Sequence, residues 1–66
     1  MNHLALRFAL EEREVVLDTQ QVQIFLLRDR HPNDQWIQLE CDRMQTEIKA
    51  ERRMIADFKL HLARNN

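Results

Sequence analysis

The chain has no glycine among its 66 residues and has one proline, Pro32, near its middle. Glycine is the residue that most readily takes positive φ angles, so tight hairpin turns, phosphate-binding loops and EF-hand loops depend on it. A chain without glycine is restricted to elements that need no such turns. Long helices meet that restriction, and the sequence predicts one small, all-α domain over residues 1–66.

Pro32 lies inside a polar segment at residues 28–34, which reads RDRHPND. Proline lacks a backbone N–H and disfavours helical angles at the residue before it, so the first helix should end near His31. Asn33 or Asp34 could then cap the next helix by accepting a hydrogen bond from a free backbone N–H. We expect an antiparallel two-helix hairpin with helices at about 3–30 and 34–63, joined by a turn at 31–34.

Residues after the turn show the heptad spacing of a helix that packs lengthwise against another helix. Seven of eight positions spaced alternately by four and three are apolar or thiol: Ile37, Cys41, Met44, Ile48, Glu51, Ile55, Phe58 and Leu62. Glu51 is the charged member of this set. It is either an edge side chain that pairs with Arg13 or a partner's arginine, or a polar group that fixes the register of the helices.

The first half of the chain carries two apolar rows with helical spacing. The Phe8 row consists of Leu4, Phe8, Val15, Val22 and Phe25 or Leu26, and the Leu17 row consists of Leu6, Leu10, Leu17, Ile24 and Leu27. One neighbouring helix covers one row, so two rows indicate two neighbours, and a lone hairpin supplies only one. We therefore expect a homodimer, in the simplest case a four-helix bundle or coiled coil.

The first half also alternates in the manner of β-strands. One strand face would carry Leu4, Leu6, Phe8 and Leu10, and another would carry Val22, Ile24 and Leu26. The rival fold is therefore two short N-terminal strands followed by one long C-terminal helix. Good helix formers at residues 4–14 and the lack of glycine-bearing turns favour the helix.

No residue pattern in the sequence indicates catalysis, a cofactor or a metal site. The chain has no serine, and its only cysteine, Cys41, lies in the heptad row, where a thiol is usually buried and inert. His3, His31 and His61 share no metal-binding spacing with one another or with Cys41. We expect no enzyme activity, no cofactor and no small-molecule substrate.

Charge and hydropathy narrow the compartment and the class of partner. Ten basic and eleven acidic residues give a formal net charge of −1, which does not suggest an anionic partner. No apolar run approaches the roughly 18–20 residues that a membrane span needs. The single cysteine excludes an internal disulfide. We expect a cytoplasmic protein without a membrane partner.

The expected function is that of a small adaptor, regulator or assembly factor that binds itself and another protein by helix–helix packing. The candidate partner-binding residues are Leu6, Leu10, Leu17, Ile24, Leu27, Trp36 and Leu39. Trp36 is either a plug over the end of the hairpin or an exposed aromatic anchor. The alternative function is a small nucleic-acid-binding regulator, whose basic stripe would be Lys49, Arg52, Arg53 and Lys59.

Overall fold

Two antiparallel helices, α1 (His3–Arg30) and α2 (Gln35–Arg64), make up the computed structural model, which describes residues 3–64. The helices pack against each other, and their Cα atoms span 50 × 15 × 12 Å. This confirms the predicted all-α hairpin, with α2 beginning and ending one residue later than expected. The strand-containing rival is wrong, because residues 3–64 contain no strand.

The turn at residues 31–34 needs no glycine. No residue in the described range has a positive φ angle. The backbone N–H of Asp34 donates to the carbonyl oxygen of His31 at 3.3 Å, and the backbone N–H of Ile37 donates to Asp34 Oδ1 at 3.1 Å. Of the two residues expected to cap the second helix, Asp34 is therefore the one that does so.

A polar cluster next to the turn ties the two helices together. Gln38 Nε2 donates to the carbonyl oxygens of Arg28 and His31 at 3.2 and 2.9 Å. The Arg28 guanidinium donates to Gln38 Oε1 at 3.0 Å and to Asp42 Oδ1 at 2.6 Å. Carbonyl groups at a helix C-terminus have no partner within their own helix. Gln38 supplies a further donor from α2 to two carbonyl oxygens that also accept from backbone N–H groups of the turn, and the sequence pattern did not reveal this role.

The core is a narrow line of side chains along the contact between the helices. Leu17, Ile24, Cys41, Ile48 and Ile55 are each at most 6% exposed, and Leu10, Leu27, Ile37 and Met44 pack against them. The heptad row predicted in the second half therefore supplies the α2 side of this core, although its member Phe58 is 43% exposed. A line of this width leaves the other sides of both helices in solvent, so any surface for a partner lies on those sides.

Candidate functional site

The two apolar rows of α1 lie on opposite sides of the helix. Each member of the Leu17 row follows a member of the Phe8 row by two positions, as Leu17 follows Val15. Two residues turn an α-helix by about 200°, so the rows are almost diametrically opposed. The Leu17 row faces α2 and the Phe8 row faces solvent.

The Leu17 row, predicted to bind a partner, holds the hairpin together. Leu17 and Ile24 are buried, Leu10 and Leu27 pack against the core, and Leu6 is partly buried. Leu17 and Ile24, which α2 encloses, can contact a partner only if the hairpin opens. Both rows have helical spacing, and the contact with α2 decides which one is enclosed. The candidate binding surface therefore moves to the Phe8 row.

The Phe8 row forms a long exposed apolar surface on α1. Its six members are 49–64% exposed: Leu4, Phe8, Val15, Val22, Phe25 and Leu26. From Leu4 to Leu26 the row extends about 33 Å along the helix axis. Helices with apolar residues on two opposite sides are typically packed between two neighbours. A row of this length is therefore a candidate surface for packing against a helix of another chain.

Acidic side chains flank the middle of the Phe8 row. Glu11 and Asp18, seven residues apart, lie on one side of the row and within the range of helix directions that its apolar members cover, and Glu12 lies along the other edge. All three are exposed. The arginines of α1 nearest the row, Arg7 and Arg30, lie towards its two ends. The middle of the row therefore combines an apolar surface with an acidic rim.

Four ion pairs join α1 to α2 within the described residues: Arg13–Glu51, Glu14–Lys59, Asp18–Arg52 and Arg28–Asp42. The Arg13–Glu51 pair shows that Glu51 is an edge side chain that pairs with Arg13 of its own chain, which is one of the two roles considered for it from the sequence. The pairs flank the core line and match the charges of the two helices to each other. The register of the hairpin is therefore supported by charge as well as by packing, although exposed pairs add little stability each.

One side of the contact between the helices opens into a groove of about 550 Å³. Its floor contains the core residues Leu17, Ile24 and Ile48, and its rim is polar, including the paired Arg13 and Glu51. The apolar floor lies beneath this charged rim, whereas the members of the Phe8 row are themselves 49–64% exposed. The Phe8 row is therefore the stronger candidate for a helix-binding surface.

Trp36 and Leu39 lie near the start of α2, and neither packs into the core. Trp36 is 82% exposed and Leu39 is 52% exposed. Trp36 therefore does not plug the end of the hairpin, where the hydrogen bonds of Gln38 and Arg28 join the helices instead. An exposed tryptophan is suited to anchoring a partner. Here it belongs to a patch much smaller than the Phe8 row.

Two of the four cations in the predicted nucleic-acid stripe are paired with carboxylates of α1. Arg52 pairs with Asp18 and Lys59 pairs with Glu14. Lys49 and Arg53 are exposed on α2. Phosphate binding depends on cations that can be neutralised by the nucleic acid, so internal pairing reduces what this stripe offers. The nucleic-acid alternative is correspondingly weaker than the sequence of α2 suggested.

Comparisons with known proteins add no family to this description. Neither the scan against protein-family models nor the searches of curated proteins and of solved structures find a match. Within residues 3–64, no three His, Cys, Asp or Glu side chains are grouped to hold a metal ion, and neither helix has an apolar stretch able to cross a bilayer.

The Arg13–Glu51 pair predicts a pH dependence of stability. Hydrogen bonding from the Arg13 guanidinium lowers the pKa of the Glu51 carboxyl below its ordinary value. A carboxyl with a lowered pKa in the folded state contributes its full stabilisation above its unfolded pKa. That contribution is lost as the pH falls through the folded pKa. We expect Glu51→Gln to be less stable than the native chain near neutral pH and to lose less stability on acidification.

Urea titrations at about pH 7 and about pH 3 measure this difference on either side of the ordinary carboxyl pKa. The expected effect is small, because the Arg13 and Glu51 side chains are 47% and 36% exposed. Asp57→Asn, at an exposed position of α2, controls for removing a negative charge. Equal acid sensitivity in the native chain and Glu51→Gln would show that the pair does not stabilise the hairpin.

Proposed function

We propose that this chain is a small non-catalytic protein-binding module that packs the Phe8 row of α1 against a helix of another chain. The observation that supports the proposal is the exposure of that whole row on the side of α1 away from α2. Burying apolar surface drives most protein association, and a straight helical row fits another helix along its length. The adaptor, regulator and assembly roles expected from the sequence all use such a surface.

The spacing of the Phe8 row supports self-association as one form of this binding. Counted from Val15, Phe8 and Val22 lie seven residues to either side, and Leu4 and Leu26 lie eleven to either side. Two antiparallel copies of α1 with a two-fold axis at Val15 would therefore place apolar residues beside apolar residues. Because the row faces away from α2, the resulting dimer would be a flat layer, ordered α2–α1–α1–α2. A square bundle would need rows about a quarter-turn apart.

The small core also supports an additional contact. Five buried side chains form the centre of the hairpin, and neither a disulfide nor a second layer of helices covers the rest of α1 in the described chain. Domains of this size are marginal and are often stabilised by association. A second chain on the Phe8 row would give α1 two neighbouring helices instead of one.

We expect light scattering to give a mass that rises above the 8.1 kDa of one chain as concentration increases. Val15→Glu should hold the mass near 8.1 kDa, because it would bury two charges at the two-fold axis. Met54→Glu is the matched control, since Met54 is 70% exposed but lies on α2. It should associate as the native chain does.

Two results would count against this self-association. One is a native chain that keeps the monomer mass at every concentration while unfolding cooperatively, which would show that the hairpin is complete alone. The other is equal weakening by Val15→Glu and Met54→Glu, which would place the contact away from the Phe8 row. Circular dichroism of each variant verifies that the helices remain formed.

A further inference from the structure

We infer that the preferred occupant of the Phe8 row is an amphipathic helix of a different protein, with lysine or arginine along both edges of its apolar face. This assignment rests on the proposed function and adds the chemistry of the partner. The acidic rim of the row supports it, because a second copy of this chain carries the same acidic rim and does not complement it.

Pairing with a second copy brings like charges together. With the two-fold axis at Val15, positions whose numbers add up to about 30 face each other, so Glu11 of one copy lies near Asp18 of the other. Symmetry repeats this contact on the second copy. Like charges that face each other across a contact oppose association. Arg52 of the same chain pairs with Asp18 and offsets part of this repulsion, just as that pair reduces the charge that Arg52 offers to a nucleic acid.

A basic helix removes this conflict and uses the same apolar surface. Its apolar residues would pack on Phe8, Val15 and Val22, and its cations would lie near Glu11 on one edge and Glu12 on the other. Charges that flank an apolar helical seam set partner choice and orientation in coiled coils. Complementary charge also speeds encounter and disfavours wrong partners. The acidic rim thus favours a basic helix over a second copy.

The probes are three designed helical peptides that share one leucine-rich face and differ only in the flanking residues, which are lysine, glutamine or glutamate. Each labelled peptide is titrated with the full chain, and binding is followed by fluorescence anisotropy. We expect the lysine peptide to bind about tenfold tighter than the glutamine peptide, with the glutamate peptide weakest. Added salt should weaken the lysine peptide most. Light scattering should show the lysine peptide replacing the second copy.

The double variant Glu11→Gln/Glu12→Gln gives two readouts that should move in opposite directions. Binding of the lysine peptide should weaken several-fold, while self-association should strengthen because the facing charges are removed. Glu47→Gln/Asp57→Asn makes the same change in net charge on α2 and should leave both readouts unchanged. A general effect of charge or of lost helix stability would move both readouts in one direction or affect both variants.

Each remaining outcome decides against a specific statement. Equal affinity for the lysine and glutamine peptides, or no effect of the double variant, contradicts the inference that the partner helix is basic. Neither result contradicts the proposed function. Self-association without any peptide binding identifies the second copy as the occupant of the Phe8 row and also contradicts the basic-helix inference. Lysine-peptide binding that survives Val15→Gln, which removes the central apolar side chain without adding charge, reflects charge alone and contradicts the basic-helix inference as well. A native chain that neither self-associates nor binds any of the peptides contradicts the proposed function itself.

Discussion

Replacing Leu17 by alanine should destabilise the hairpin by about 2–5 kcal/mol, whereas Val15→Ala should change its stability by less than about 0.5 kcal/mol. The two residues are two positions apart on α1, but Leu17 is 1% exposed and Val15 is 63% exposed. Removing the Leu17 side chain leaves a cavity in a core that is one side chain wide. Removing most of Val15 exposes little new surface, and alanine is the better helix former.

Urea unfolding followed by circular dichroism measures both changes. Low protein concentration is needed, so that self-association does not contribute to the Val15 result. A domain of this size has a few kcal/mol of stability to lose, so Leu17→Ala should already be partly unfolded before urea is added, and its loss of helical signal in water measures the unfolded fraction. Similar losses in the two variants would mean that the Phe8 row is already covered in the isolated chain. That result would remove the surface on which the proposed function depends.

The hairpin could be predicted from the sequence because its determinants are local. Pro32 ends the first helix and Asp34 begins the second. The spacing of the heptad row from Ile37 onward matches a helix and does not match a strand. The role of Gln38 could not be predicted in the same way. Its amide reaches carbonyl groups ten and seven residues earlier, and those groups come within reach only after the turn has formed.

The first half was ambiguous for one physical reason. Apolar pairs two residues apart, such as Val15 and Leu17, match strand alternation, and they also match a helix that is apolar on two opposite sides. Spacing alone could not decide which row faces α2, because both rows have the same spacing. The charges beside the Leu17 row carry the missing signal. Arg13 and Arg28, beside the Leu17 row, form ion pairs with two carboxylates of α2, Glu51 and Asp42. Of the three acidic residues beside the Phe8 row, Asp18 alone has such a partner on α2 within residues 3–64, and that partner is Arg52.

The Cys41 thiol should react with a thiol reagent only in the open form of the hairpin. Cys41 is fully buried, with its Sγ atom 3.9 Å from the carbonyl oxygen of Ile24 on the facing helix. A reagent cannot reach it while α1 covers it, so the labelling rate follows the population of the open form. A loss of 2 kcal/mol in stability raises that population roughly thirtyfold. Leu17→Ala should therefore label at least about thirtyfold faster than the native chain, and Val15→Ala at close to the native rate.

Labelling of Cys41 also distinguishes the two rows of α1 as partner surfaces. A helix that binds the Phe8 row stabilises the closed hairpin, so labelling should slow about tenfold when that peptide is present at ten times its dissociation constant. A helix that binds the Leu17 row must displace α2, so it would expose the thiol and speed labelling. The lysine-flanked peptide is the probe, and Val15→Gln, which removes the central apolar side chain without adding charge, should abolish the protection. Faster labelling would return the binding surface to Leu6, Leu10, Leu17, Ile24 and Leu27 and make opening of the hairpin part of partner binding.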